Sequence, residues 1–188
     1  MSKIRVGVLR GGPSNEYEVS LRSGAHVLLH LPEETYKPID IFIDRDGAWH
    51  AQGLPREPGE IADMVDVVFN ALHGGYGEDG RAQEILDSHS IPYVGSEARA
   101  SAIGMNKMIA KRMAKKLGVK VPYHQIMTRA EYEAGSPDEL FRRIMMPTVI
   151  KPLRGGSSIG MSLAETPDEL WNGIREALRH DEAVILEQ

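Results

Sequence analysis

The sequence predicts an α/β fold: a mostly parallel, three-layer sheet domain over residues 1–100, then an α+β lobe over residues 101–188. Three observations predict it. Apolar strand-like runs alternate with helical segments through the first hundred residues. One of those runs, Val65 to Leu72, is nearly continuous in apolar residues, as a central parallel strand covered on both faces must be. From about residue 100 the pattern changes to short strands, helices and a glycine-rich loop.

The elements follow in order. Ile4 to Leu9 is a short apolar strand, and Gly11-Gly12-Pro13-Ser14 is a loop signal. A helix runs from about Glu16 to Leu29, starting near Ser14 or Asn15 and stopping before Pro32. Ile39 to Ile43 is a strand closed by the turn sequence Asp44-Arg45-Asp46-Gly47. Proline and glycine make Gly53 to Gly59 irregular. After the strand ending at Leu72 come a loop from His73 to Gly80, a short helix from Arg81 to Leu86 and a brief strand from Ile91 to Val94.

In the second half, Met105, Met108, Ile109, Met113 and Leu117 recur on one helical face, a stripe that reads as core, and Gly118 stops that helix. Tyr123 to Met127, Thr148 to Lys151 and Ser158 to Leu163 read as strands, and Asp138 to Ile144 as a short helix. Pro167 to Leu178 is a helix capped by Thr166, with Leu170, Trp171, Ile174 and Leu178 on one face. Ala183 to Gln188 is a last strand. A core strand with no tail behind it reads as the edge of a fragment of a longer protein.

Bulk properties narrow the function classes. The chain has 188 residues, 26% of them charged, and a formal net charge of −5. It lacks the basic excess of a duplex-binding surface, so no nucleic-acid partner is expected. Cysteine is absent, which excludes disulfides, a thiolate nucleophile and cysteine-ligated zinc. No apolar run is long enough to cross a bilayer, and a charge interrupts the first apolar run. The expectation is a cytoplasmic protein without a membrane partner.

The densest chemistry lies in Val149-Ile150-Lys151-Pro152-Leu153-Arg154-Gly155-Gly156-Ser157-Ser158-Ile159-Gly160. A strand delivers a lysine into a small-residue loop, so that N–H groups, hydroxyls and an ammonium can surround phosphate oxygens. The GxxxxGK[ST] phosphate-loop pattern does not occur in the chain. Alone, Lys151 either snorkels to solvent or meets an anion, and the loop is either a hairpin connection or a flap that closes over phosphates. His73 lies where ligands collect in parallel sheets, beyond a strand's carboxyl end, although a lone histidine is more often structural. Glu16 follows the first strand by the same rule, yet an acid at a helix start ordinarily answers orphan N–H groups. Lys107 by itself is a solvated lysine. Glu78 and Asp79 make a poor metal cage, and no metal ligand is assigned.

Taken together, the motifs resemble the D-alanine–D-alanine ligases. The resemblance rests on Gly11 to Ser20 (GGPSNEYEVS), Ala71 to Gly80 (ALHGGYGEDG), Tyr93-Val94-Gly95-Ser96, Met105-Asn106-Lys107, and Lys151-Pro152 with Gly156 to Met161, in that order over nearly the whole chain. It implies an N-terminal substrate-binding domain followed by the first lobe of an ATP-grasp domain. It also implies a reaction in which ATP phosphorylates one D-alanine carboxylate and a second D-alanine attacks the acyl phosphate, for peptidoglycan precursor synthesis. Glu16, His73 and Ser157 would take part in catalysis, and Glu16, Val19 and His73 would hold the first D-alanine. Lys107, Lys151, Ser157, Ser158 and Glu187 would bind ATP, with Glu187 at the adenine hinge. Mg2+ ligands, an arginine and second-substrate contacts would lie in a C-terminal part that the chain lacks. The resemblance further implies a homodimer for the full-length protein and an inactive isolated fragment. Gly155 departs from the acid common at that position, which puts a loop salt bridge in doubt. Alternative readings are a D-alanine–D-lactate or D-alanine–D-serine ligase, and a noncatalytic nucleotide- or amino-acid-binding module.

Overall fold

The computed structural model describes residues 2–188. The chain forms two compact units, one running to Ala102 and the other from Ile103 to Gln188.

The first unit contains β1 (Ile4–Gly11), α1 (Tyr17–His30), β2 (Tyr36–Ile43), β3 (Trp49–Ala51), β4 (Leu54–Pro55), α2 (Pro58–Ala62), β5 (Val67–Asn70), α3 (Arg81–Ser88) and β6 (Tyr93–Val94). The helix α4 (Ala98–Met105) crosses the division. Its sheet has the order β4-β3-β2-β1-β5-β6. β1 pairs in parallel with β2 and β5, and β5 with β6, whereas β3 and β4 join antiparallel at one edge.

Alternation along β1 explains the layers. Val6 and Val8 pack on one face with Val27, Leu28 and Leu31 from α1 and its end. Leu9 packs on the other face with Ile41, Ile43, Ile61 and Leu86, which brings in α2 and α3. A sheet apolar on both faces needs a helical layer on each. Leu9, Ile41, Ile43 and Leu86 are fully buried, each contributing roughly 2 kcal/mol of transfer free energy. Gly53 to Gly59, expected to be irregular, holds β4 and the start of α2. There Glu57 and Glu60 form a reciprocal capping box that supports a helix of only five residues.

The second unit contains α5 (Lys107–Lys116), β7 (His124–Thr128), α6 (Arg129–Ala134), α7 (Pro137–Arg143), β8 (Thr148–Pro152), β9 (Ser162–Ala164), α8 (Pro167–Ala177) and β10 (Ala183–Glu187). Its antiparallel sheet has the order β7-β10-β8-β9. Every residue of the central β10 is buried. Val184 and Leu186 face α8 with Leu170, Ile174 and Ile150. Ala183 and Ile185 face the other way, with Leu153 and Met108. Thr166 caps α8 and completes a capping box with Glu169.

Two expectations are corrected in this unit. Ser158 to Leu163 is not a strand throughout. Ser157 and Ser158 have φ of 49° and 59°, a left-handed conformation that no strand accommodates, and only Ser162–Ala164 pairs. The methionine stripe is not core either. Asn106 ends α4's run and caps α5 with its side chain, so Met105 lies outside that helix. Ile109, Met113 and Leu117 are exposed, and Met108 alone packs against a core cluster. The helix turns its Lys107–Met108–Lys111 side inward because those ammonium groups have partners on the sheet and loop.

Candidate functional site

Two constellations hold the predicted residues, one in each unit. In the first unit the loops after β1 and β5 carry the chemistry, at the carboxyl ends of neighbouring parallel strands. Ser20, fully buried on α1, fastens them: its Oγ accepts from Gly11 N–H at 2.8 Å and donates to Ala71 O at 2.9 Å. Asn70 and Gln83 both donate to Gly77 O at 2.8 Å, shaping the loop from beneath.

Within that loop Glu78 accepts from Gly74 N–H at 3.0 Å, and its other oxygen lies 3.7 Å from His73 Nδ1. His73 Nε2 is 2.9 Å from Ser23 Oγ on α1. The imidazole is thus hydrogen-bonded on its Nε2 side, with the Glu78 carboxylate near its other nitrogen. Gly74 sits at φ +71°, and a Cβ there would lie 2.8 Å from Glu16 Oε1 and 2.7 Å from Ser14 Oγ. Glu16 therefore stands beside the His73 loop, at the first turn of α1. Val19, on the same turn, is 41% exposed. Asp79 pairs with the Arg81 guanidinium at 2.7 Å. Burial pushes its carboxyl up, but the Arg81 guanidinium and the Tyr76 and Arg81 N–H groups outweigh this and hold it below the usual carboxylate range. A cleft of about 670 Å³ lined by Pro13, Trp49, Arg56, Tyr76 and Arg81 opens in this unit, and its lining includes neither Glu16 nor His73.

In the second unit, strand alternation places Lys151 and Glu187 on the α5 side of the sheet. Ile185 pairs opposite Lys151, which leaves Glu187 diagonal to it, within reach of a long side chain. Lys151 and Lys111 both pair with the Glu187 carboxylate, one on each oxygen. Burial pushes Glu187 up, but the hydrogen bonds from the two lysines prevail and its pKa is lowered.

Lys107 grips the glycine–serine loop twice. Its N–H bonds Leu153 O at 3.1 Å and its Nζ bonds Gly155 O at 2.8 Å. Burial, then the charge of Lys151, holds the Lys107 pKa below the usual lysine range. The structure thus brings Lys107, Lys151 and Glu187 together beside the loop that carries Ser157 and Ser158. An ammonium that is half-buried and opposed by a second ammonium gains from an anion placed between them, so this side-chain set fits phosphate. Among the described residues, no group of three or more His, Cys, Asp or Glu is arranged to hold a metal ion. Also among them, no helix is long and apolar enough to cross a membrane.

Sequence reasoning missed three residues. Lys111 had a signal, its i+4 spacing from Lys107 on α5. Ser23 stands one turn beyond Val19, but its partner is 50 positions away. Asp181, a buried carboxylate held by Arg154, gave no sequence signal at all.

With this geometry in hand, likeness to known proteins is informative. A family model described as D-ala D-ala ligase N-terminus matches residues 5–59 and 50–96, and one described as D-ala D-ala ligase C-terminus matches residues 113–188. The chain is 38% identical over 186 residues, 99% of its length, to a D-alanine--D-alanine ligase of Solibacter usitatus, and 40% identical over 184 residues to one of Geotalea uraniireducens. It covers 56% and 55% of those relatives, so it spans little more than half their length. Among solved structures, the VanG D-Ala:D-Ser ligase from Enterococcus faecalis superposes with a TM-score of 0.83 at 30% identity, over 100% of this chain and 63% of that one.

Proposed function

Because this chain belongs to the D-alanine–D-alanine ligase family, we propose that the natural full-length protein is an ATP-dependent ligase that joins two D-alanines for peptidoglycan precursors in the cytoplasm. The observation that carries this reading is the convergence of Lys107 and Lys151 at the root of one glycine–serine loop. In the proposed reaction, an oxygen of the first D-alanine's carboxylate attacks the γ-phosphorus of ATP and ADP leaves. The amine of the second D-alanine then attacks the acyl phosphate, phosphate leaves, and an amide bond forms as the amine loses a proton.

Such chemistry needs fixed positive charge and N–H donors around the transferring group more than a nucleophilic side chain. Lys107 and Lys151 are assigned to the phosphates, with Ser157, Ser158 and the loop amides covering them. Glu187 is assigned to the adenine border, and Lys111 keeps its charge paired when Lys151 turns to phosphate. Glu16 is assigned to the first substrate's ammonium, with Val19 packing nearby. His73, steadied by Ser23 and Glu78, is assigned to the reacting carboxyl. The divalent cation that such a reaction uses would be held by acids beyond residue 188, and none of these roles depends on it. A homodimer belongs to the same proposal.

D-serine is a second reading for the attacking substrate, favoured by the likeness to a D-Ala:D-Ser ligase. Calorimetric titration of the full-length protein with ATP tests the phosphate assignment. Lys151→Ala should weaken binding about tenfold or more, the scale of one lost charge-assisted hydrogen bond; an unchanged affinity would reject it. ADP release measured with D-alanine alone, and with added D-serine, separates the two substrate readings.

A further inference from the structure

Both ends of the arch from Arg154 to Gly160 rest on the turn that joins α8 to β10. At the leading end, the side chain of Asp181 is only 6% exposed. Its Oδ2 accepts from Arg154 N–H at 2.7 Å, and its Oδ1 faces the Arg154 guanidinium at 3.2 Å. Oδ1 also accepts from Glu182 N–H at 2.7 Å, which fixes the carboxylate from behind. At the far end, a Cβ on Gly160 would fall 2.6 Å from His180 Cδ2 and 3.0 Å from Pro152 Cγ, so the backbone lies directly on the imidazole. Between these two pins Gly155 to Ser158 are exposed.

An aspartate that merely shaped its own turn would accept only from the next one or two N–H groups. Asp181 instead reaches 27 positions back along the chain, to the residue that begins the arch. A carboxylate this well buried persists only when paired and hydrogen-bonded, and here both the N–H and the guanidinium of Arg154 pair with it, while Glu182 N–H steadies it within its own turn. The next residue along, Gly155, is the one whose carbonyl receives Lys107 Nζ. Asp181 thereby sets where the arch starts and where Lys107 is held.

We propose that Asp181 is a positioning residue for nucleotide binding, fixing the root of the serine loop so that loop and Lys107 meet the β- and γ-phosphates at a set height. The proposal rests on the ATP reading above. ATP and AMP are titrated into the full-length protein and its Asp181→Asn, Asp181→Ala and Lys151→Ala variants. Asp181→Ala should weaken ATP about tenfold while AMP changes less than twofold, because AMP lacks the phosphates that the loop covers. Asp181→Asn keeps an oxygen for the Arg154 N–H and should recover most of the loss. The ATP-to-AMP affinity ratio is the deciding readout, since general loosening of the fold would weaken both ligands alike. If Asp181→Ala does not fold, the ratio in Asp181→Asn, expected to fall two- to threefold, decides instead. An unchanged ratio alongside weakened ATP binding in Lys151→Ala overturns the role of Asp181 and leaves the ATP reading standing. Failure of the wild type to bind ATP overturns both.

Discussion

The two units build their sites by different physical means. In the first, the site grows from backbone: loops leave neighbouring parallel strands, a buried serine fastens them, and a left-handed glycine lets Glu16 approach the His73 loop. In the second it grows from side-chain charge, where a lysine from α5 and a lysine from β8 share a carboxylate on β10. A parallel sheet brings loop backbone to one end by topology alone. An antiparallel sheet offers its face, and what meets there depends on register and on how a helix is turned. The first unit should therefore be sensitive to an added atom near the backbone, and the second to a deleted charge.

The largest effect is expected from Glu187→Ala, which leaves two half-buried ammonium groups, Lys111 and Lys151, without their shared partner. Breaking such a pair costs about 3 kcal/mol, read as a lower urea midpoint; a shift under about 0.5 kcal/mol, the size of an exposed pair, would erase the contrast between the units. Next comes Gly74→Ala. A left-handed alanine meeting Glu16 and Ser14 costs about 2 kcal/mol, and it should also displace the Glu16 carboxylate, weakening D-alanine binding. If stability falls while D-alanine affinity holds, Glu16 is not serving that ligand.

Ser23→Ala is expected to cost about 1 kcal/mol or less, the worth of one half-buried hydrogen bond. Its sharper readout is the 15N spectrum of the His73 ring, where Nε2 should lose the signature of its hydroxyl partner. The smallest effect is a slope. Glu187 has a folded pKa below its unfolded value near 4.5, so it binds its proton less readily when folded. Its stabilisation is complete above pH 4.5 and is lost as the pH falls through the lowered folded value. Chemical denaturation at stepped pH should show wild type losing stability faster than Glu187→Gln below pH 4.5, with parallel curves above it. Parallel curves throughout would mean that the carboxylate does not hold its two lysines in solution.

The sequence by itself determined a good deal. Continuous apolar character marked β5, the turn sequence from Asp44 to Gly47 marked the end of β2, and Thr166 with Pro167 marked the start of α8. These features are local, because strand period, turn chemistry and capping operate over a few residues. What the tertiary structure alone decided was which side of α5 faces inward. An apolar stripe argues for burying Ile109 and Met113, yet Lys107 and Lys111 turn in because Gly155 O and Glu187 pair with them. Glu187 stands 76 positions from Lys111, and Asp181 stands 27 from Arg154. Partnerships over such separations are set by sheet register and by the course of a loop between strands, which no short window of sequence encodes.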